Sequence, residues 1–407
     1  MSATKEETIE RRCAEAWNDA DPAAKCTCLG CGKEFPVRGI GGVPTVICPF
    51  CGFIPGADVC GALLRELERR KSEPPPEPAA EVENLPAPAV APPGLDDVIG
   101  NAAAVAQIRV ALDAHRMRAG GGDKLNVMPH VLLTGPGGTG KTMLSEIIAR
   151  ELGRPIRLQM GQSLVNPARV NDVLRSLRAG DVLYIDEIHG LKPACQQALF
   201  RAMEDGIAVP IEKAGNPIGQ PIKLPPFTLI GSTTDEWSLL PSFIQRFRYR
   251  VRLVRMTAGE LGRAIAERAK RRGWTLTDEA AGMIAERSHG TPRLAVGLLD
   301  GCMDTAIAGG SDVVDPMIVS ATCDTWQIDR LGLDKVARQY LGILADAGGG
   351  PVRLNVLSTK LDGLSRRTVE MRVEPDLVYL GLITKDSDGR RLTAAGYEHL
   401  KRGKSCV

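Results

Sequence analysis

The stretch Gly135-Pro136-Gly137-Gly138-Thr139-Gly140-Lys141-Thr142 decides the fold. It satisfies G-x-x-x-x-G-K-[ST], the glycine-rich turn whose inward backbone N–H groups cradle phosphates. Its flanks fit. The apolar run Val131–Thr134 precedes it, and Met143, Leu144, Ile147 and Ile148 follow at helical spacing. Strand, loop and helix in that order exclude a chance glycine run. The glycines Gly135, Gly137, Gly138 and Gly140, with Thr139, shape the turn, and the helix N-terminus adds partial positive charge. Lys141 neutralises β/γ-phosphate oxygens, and the Thr142 hydroxyl is a ligand for Mg²⁺. ATP is the expected nucleotide, with Met143 beside it.

Working outward, residues 182–187 read Val-Leu-Tyr-Ile-Asp-Glu, a buried strand ending in two acids. After a P-loop, Asp186 reads as the Mg²⁺ carboxylate and Glu187 as the group that polarises the attacking water. Taken alone, such acids are solvated charges or a helix cap. A further apolar run covers 227–231, and the alternation of strands and amphipathic helices from Leu95 to Arg255 argues for an α/β domain on a parallel sheet. From 257 to 323 the pattern turns helical: Leu261, Ile265 and Ala269 share a face, and Thr277-Asp278-Glu279 opens a helix. Residues 328–400 combine helices with a hairpin at 382–392, turned at Ser387-Asp388-Gly389.

The chain has 407 residues, enough for about three domains at roughly 150 residues each. An apolar fraction of 43%, a charged fraction of 25% and a net charge of +2 are ordinary for a globular protein, so any DNA contact must come from a local patch. The first residues are polar and acidic, and no apolar run reaches the ~18 residues of a membrane span. The expectation is a cytoplasmic protein with no membrane partner.

Eleven cysteines are present, five of them between Cys26 and Cys51. Cys28-x₂-Cys31, then Cys48-Pro49-Phe50-Cys51, each pair followed by glycine (Gly32, Gly52), has zinc-ribbon spacing, and four thiolates make a closed structural Zn²⁺ site. Cys26 competes with Cys28 as a ligand. The bland reading is reduced thiols in a tail. Cys13, Cys60, Cys195, Cys302, Cys323 and Cys406 read as ordinary residues. Residues 72–94 (SEPPPEPAAEVENLPAPAVAPPG) cannot bury a core and read as an extended linker. The expected organisation is a polar segment (1–25), ribbon and helix (26–71), linker (72–94), large ATPase domain (95–255), helical lid (256–325) and a C-terminal domain (326–407).

Several stretches together resemble the RuvB family of AAA+ motors, which drive Holliday-junction branch migration in recombination and repair. They are Leu95-Asp96-Asp97-Val98-Ile99-Gly100, Ile185-Asp186-Glu187-Ile188-His189, Ala202-Met203-Glu204-Asp205, Gly290-Thr291-Pro292-Arg293 and Gly349-Gly350-Pro351-Val352. Most specific is Leu224-Pro225-Pro226-Phe227-Thr228-Leu229-Ile230-Gly231, and the resemblance spans about three quarters of the chain. It implies a P-loop AAA+ domain with lid and a C-terminal winged helix, assembled as a hexameric ring on DNA.

The resemblance also implies roles. Ile99 lies at the adenine pocket. Thr234 is the sensor that feels the γ-phosphate, Arg293 the second sensor from the lid, and Arg246 the arginine finger for the neighbouring subunit's ATP. Residues 208–223, with Val209 and Ile211 on one arm, Gly215-Asn216 at the tip and Ile218 and Ile222 returning, match the hairpin that docks the junction-binding partner RuvA. The recognition helix falls at 365–380 with Ser365 as N-cap, and the wing at 385–391. Arg366, Lys385 and Arg390 fall where the family meets the DNA backbone, diluted here by Glu370, Glu374, Asp376, Asp386 and Asp388. Departures from the family pattern stand at Ala91, Val98, Asp235, Ile244 and Arg248, none of them in the phosphate chemistry. The family has no zinc ribbon to explain the cysteines, and recruitment of DNA or a partner is its expected use.

The rival reading is an AAA+ switch that loads or remodels a protein on DNA without translocating. A Ser-Arg-Cys-like finger would favour it, and Gln245-Arg246-Phe247 is not one. An unfoldase would need aromatic pore loops or a protease domain.

Overall fold

The structure, a computed structural model, describes residues 93–120, 127–209, 220–403 and two short strands near the N-terminus. The chain divides into two compact units, 1–89 and 90–407. In the first, β1 (Lys25–Thr27) pairs antiparallel with β2 (Glu34–Pro36). Their backbones bracket the segment that carries Cys28 and Cys31. The four cysteines expected to bind zinc, Cys28, Cys31, Cys48 and Cys51, lie outside the described residues, as do the linker up to residue 92 and the expected helix before it.

The second unit begins with α1 (Ala102–Gly120), β3 (Val131–Thr134), α2 (Lys141–Glu151), β4 (Ile156–Met160), α3 (Pro167–Arg175) and β5 (Val182–Asp186). Then come α4 (Pro193–Glu204), the short pair β6 (Ile207–Ala208) and β7 (Ile222–Lys223), β8 (Thr228–Thr233), α5 (Pro241–Ile244) and β9 (Tyr249–Arg252). Five strands form one parallel sheet in the order β4-β5-β8-β3-β9. Helices cover both faces, so the central strands read as continuous apolar runs. Leu132, Leu183, Ile185 and Leu229 face one core, and Leu133, Val182, Tyr184 and Ile230 face the other. β6 and β7 pair antiparallel as the base of the expected docking hairpin, whose tip lies outside the described residues.

The lid comprises α6 (Ala258–Arg271), β10 (Thr275–Leu276), α7 (Asp278–Glu286), α8 (Pro292–Ala308), β11 (Val313–Val314) and α9 (Pro316–Thr325). Local chemistry sets its helix starts. Thr257 and Glu260 form a reciprocal capping box, and the Thr277 and Asp315 side chains accept from N–H groups of the first turns. Leu261, Ile265 and Ala269 are buried in the lid core as their spacing predicts.

The last module holds α10 (Lys335–Asp346), α11 (Leu354–Lys360), α12 (Arg366–Thr368), α13 (Glu374–Tyr379), β12 (Ile383–Lys385), β13 (Arg390–Leu392) and α14 (Ala394–Gly403). Ser365 caps α12 by accepting from Thr368 N–H. The expected single recognition helix is interrupted: Val369–Val373 is a π-type segment between α12 and α13. Pro375 lacks the N–H that an α-helix would donate to the Met371 carbonyl, and the chain widens by one residue to pass it. The wing is β12 against β13, joined through Asp386, whose carboxylate accepts from Asp388 and Gly389 N–H. Among the described residues no helix is long and apolar enough to cross a membrane.

Candidate nucleotide site

β3 ends at Thr134 between β8 and the edge strand β9, and the turn after it is held in a shape that favours glycine. Gly135, Gly138 and Gly140 have φ of +138°, +75° and +98°. A Cβ on Gly135 would fall 2.2 Å from the Leu253 carbonyl oxygen. Gly140 is then the N-cap of α2. Lys141 is only 6% exposed, and its Nζ donates to the Gly135 and Pro136 carbonyls at 2.8 and 2.9 Å. Burial lowers its pKa, partly offset by the Glu187 and Asp186 carboxylates. A buried ammonium held only by carbonyls, beside inward N–H groups, suits a polyphosphate. The Thr139 hydroxyl donates to the Pro136 carbonyl and fixes the loop.

Thr142 and Asp186 are brought together by two hydroxyls that the sequence reading passed over. Tyr184 Oη lies 3.2 Å from Thr142 Oγ1 and 3.0 Å from Ser232 Oγ, and Ser232 donates to Asp186 Oδ1. Tyr184 is fully buried, and burial raises its pKa, so it remains a phenol. Tyr184 offers its one hydrogen to Thr142 and Ser232, and Ser232 donates to Asp186, so a chain of hydroxyls ties Thr142 to the carboxylate. An oxygen-only donor set of this kind fits Mg²⁺.

Glu187 follows β5 in the left-handed region, with φ +48° and ψ +51°. Such backbone costs on the order of 1 kcal/mol or more for a residue with a side chain and persists only where packing enforces it. Gly190 N–H donates to the Glu187 carbonyl at 2.8 Å, and a Cβ on Gly161 would sit 2.3 Å from that same oxygen. Glu187 Oε2 lies 3.1 Å from His189 Nδ1 and 3.5 Å from Thr234 Oγ1. Thr234 is thus at the end of β8, beside the acid pair.

The lid meets the P-loop directly. Arg293 N–H donates to the Gly138 carbonyl at 3.3 Å, and a Cβ on Gly138 would strike Arg293 Cβ and Thr291 Cγ2. Ile99 packs against the lid core, and Val98 against that of the ATPase domain. Asn101 closes this entry segment, exchanging two hydrogen bonds with the Val254 backbone. Met143 is exposed on the first turn of α2. Arg246 is placed elsewhere, over α4: Nη1 pairs with Glu204 at 2.6 Å and the guanidinium lies 4.8 Å from the Phe200 ring centroid. Asp235, one of the departures, caps the turn after β8 by accepting from Trp237 N–H.

The expected DNA contacts separate. Arg366 is exposed at the start of α12. Arg390 is not: it is 8% exposed, and its guanidinium binds Glu374 at 2.7 Å and Glu370 at 2.9 Å. Lys385 pairs with the same two acids at 3.0 and 3.1 Å. Arg390 thus faces the carboxylates of its own module, whereas Arg366 faces solvent. Opposed carboxylates on the neighbouring helix already neutralise Arg390, and a buried cation cannot leave such partners cheaply.

A phosphate turn after β3, an acid pair at the end of β5, a helical lid touching the turn and a winged module define a P-loop AAA+ ATPase. Family models match along the whole second unit: the Holliday junction DNA helicase RuvB P-loop domain over 90–253, the RuvB AAA lid domain over 257–329 and the RuvB C-terminal winged helix domain over 330–401. The chain belongs to the RuvB family. The "Holliday junction branch migration complex subunit RuvB" of Paramagnetospirillum magneticum is 37% identical over 311 residues, 76% of this chain and 88% of that protein. The protein of the same name from Methanoregula boonei is 35% identical over 336 residues, 82% of this chain and 96% of the relative. The Thermotoga maritima RuvB Holliday junction branch migration motor superposes with a TM-score of 0.66 at 36% identity, covering 76% of this chain and 98% of that one.

Proposed function

We propose that this chain is an ATP-driven DNA motor that drives Holliday-junction branch migration in recombination and repair. One observation carries the reading: three family models match in succession through ATPase domain, lid and winged helix, over 90–253, 257–329 and 330–401. They include the phosphate-facing residues. In this reading the glycine turn and Lys141 bind the β- and γ-phosphates. Thr142 and Asp186 would hold Mg²⁺, which when bound neutralises charge between those phosphates. Glu187 orients the attacking water and accepts its proton, while Thr234 and Arg293 face the γ-phosphate from strand end and lid. Arg246 acts on a neighbouring protomer's nucleotide, so a closed ring, six subunits by family resemblance, is the working form.

Its partners are DNA and further copies of the chain. A RuvA-like protein docking through 208–223 is proposed as a further partner, and zinc at Cys28, Cys31, Cys48 and Cys51 as a structural metal. Metal analysis of the purified chain and of its Cys28→Ser variant tests the latter. A cytoplasmic location is proposed with this reading, as the compartment that supplies both ATP and DNA.

The deciding experiment is branch migration of a synthetic four-way junction with ATP and Mg²⁺, with and without a RuvA-like partner. Glu187→Gln is expected to keep nucleotide binding and lose turnover. ATP hydrolysis without strand exchange, with the partner supplied, would turn the reading toward a protein-loading switch.

A further inference from the structure

His189 is part of no role assigned so far, yet its ring stands between the water-activating carboxylate and the end of β8. Its Nδ1 lies 3.1 Å from Glu187 Oε2 and 3.0 Å from Thr233 Oγ1. Thr233 Oγ1 already accepts from Asp235 N–H at 2.9 Å, so its own hydrogen is free to donate. One nitrogen therefore faces an acceptor and a potential donor. With the proton on Nδ1 the ring donates to Glu187. With the proton on Nε2 it accepts from Thr233, and the carboxylate keeps only the longer bond from Thr234. The backbone fixes the ring's starting point, because the left-handed turn at Glu187 closes through Gly190 N–H and packs on Gly161. Two residues separated by one turn are thereby held with their side chains converging rather than splayed.

We propose that His189 is a positioning residue for Glu187, holding its carboxylate toward the end of β8 and so setting whether it points at the attacking water. The inference rests on the reading of Glu187 as the water-activating group. A carboxylate on a two-bond side chain samples several rotamers, and a single N–H selects among them. Because Thr233 and Thr234 end the strand that runs beside β3, the same contact gives the turn's neighbour strand a say in the aim of the base.

The test is single-turnover hydrolysis of radiolabelled ATP by the full chain, with affinity for a fluorescent ADP analogue measured alongside. His189→Ala is expected to slow the hydrolytic step by about 10- to 100-fold, the usual cost of removing a partner that orients a reacting group, with ADP affinity unchanged. His189→Asn places an N–H near the Nδ1 position and should recover much of the rate. His189→Gln places it near Nε2 and should recover little. Combined with Glu187→Gln, His189→Ala should add no further loss, because the group it positions is gone. Wild-type rates for His189→Ala, equal recovery by Asn and Gln, or a full additional loss in the double variant would each overturn the inference while leaving the role of Glu187 intact. Rapid hydrolysis by Glu187→Gln alone would instead remove that role, and this inference with it.

Discussion

Arg255 Nη2 donates to Asp376 Oδ1 at 2.8 Å, joining the segment that leaves the ATPase sheet to the winged-helix module. The contact is a hub. Arg255 Nη1 donates to the His289 carbonyl at 2.8 Å, and its guanidinium lies 4.3 Å from the Tyr379 ring centroid. Asp376 Oδ2 is 3.5 Å from His289 Nδ1, while His289 Nε2 donates to the Leu331 carbonyl. His289 itself precedes Gly290-Thr291-Pro292-Arg293, whose last residue touches the P-loop. Three segments from three modules thus converge four residues from Arg293.

Asp376→Asn is expected to keep basal ATPase activity and weaken its stimulation by duplex DNA. Energetic coupling carried by such an element is about 0.5–2 kcal/mol, which is about 2- to 30-fold in stimulation. ATPase assays with and without DNA measure it. Unchanged stimulation would mean that the modules communicate by another route.

Tyr184→Phe removes the hydroxyl between Thr142 and Ser232 and leaves the core volume unchanged. The Mg²⁺ concentration for half-maximal ATPase should rise by about tenfold or more, as for loss of a group that orients metal ligands. The fold should persist, since the ring stays packed. A magnesium titration with the melting temperature alongside separates the two.

Arg246→Ala and Lys141→Ala should each be inactive alone. Mixed, they should recover part of the ATPase, because a Lys141→Ala subunit still presents Arg246 to the intact site of its neighbour. The Glu204 pairing would have to open for this, at about 0.2–1 kcal/mol for an exposed ion pair. No recovery across mixing ratios would exclude action in trans.

Arg366→Ala should lower duplex affinity and reduce the salt slope by about one charge, whereas Arg390→Ala should act on folding. Glu374 would keep Lys385 but lose its bonds to the guanidinium, which is expected to destabilise the module by about 1–3 kcal/mol, read by denaturant unfolding. The pH dependence has a definite sign. Burial pushes Glu374 up, yet its bonds to Arg390 and Lys385 outweigh this and hold the carboxyl below its ordinary 4.5. A depressed carboxylate stabilises the fold above the unfolded-state value. That contribution is lost as pH falls below 4.5 and through the folded-state value, so the wild type should lose stability there.

Much of the site could be read before any coordinates. The glycine turn, the acid pair and the caps at Thr277 and Ser365 are local, because each needs only a few adjacent residues in a fixed order. The edge strands β4 and β9 escaped the reading: Ile156–Met160 and Tyr249–Arg252 mix apolar with charged residues, since edge positions are half-exposed and lack the unbroken apolar run of β3 or β5. His189, Tyr184 and Ser232 were invisible as site residues for a different reason. Their spacing carries no motif, and only the parallel register that sets Tyr184 beside Ile230 and Ile185 beside Gly231 brings β5 and β8 hydroxyls to one edge.

From its residues alone this protein was bound to be a phosphate-binding α/β ATPase, because chemistry at 135–142 and 182–187 is written in consecutive positions, and Leu224–Gly231 carried the RuvB resemblance. Tertiary structure decided the rest. Whether a cation is free to meet a phosphate depends on which acids the fold packs beside it, and Arg390 and Arg366, alike in sequence, differ for that reason only.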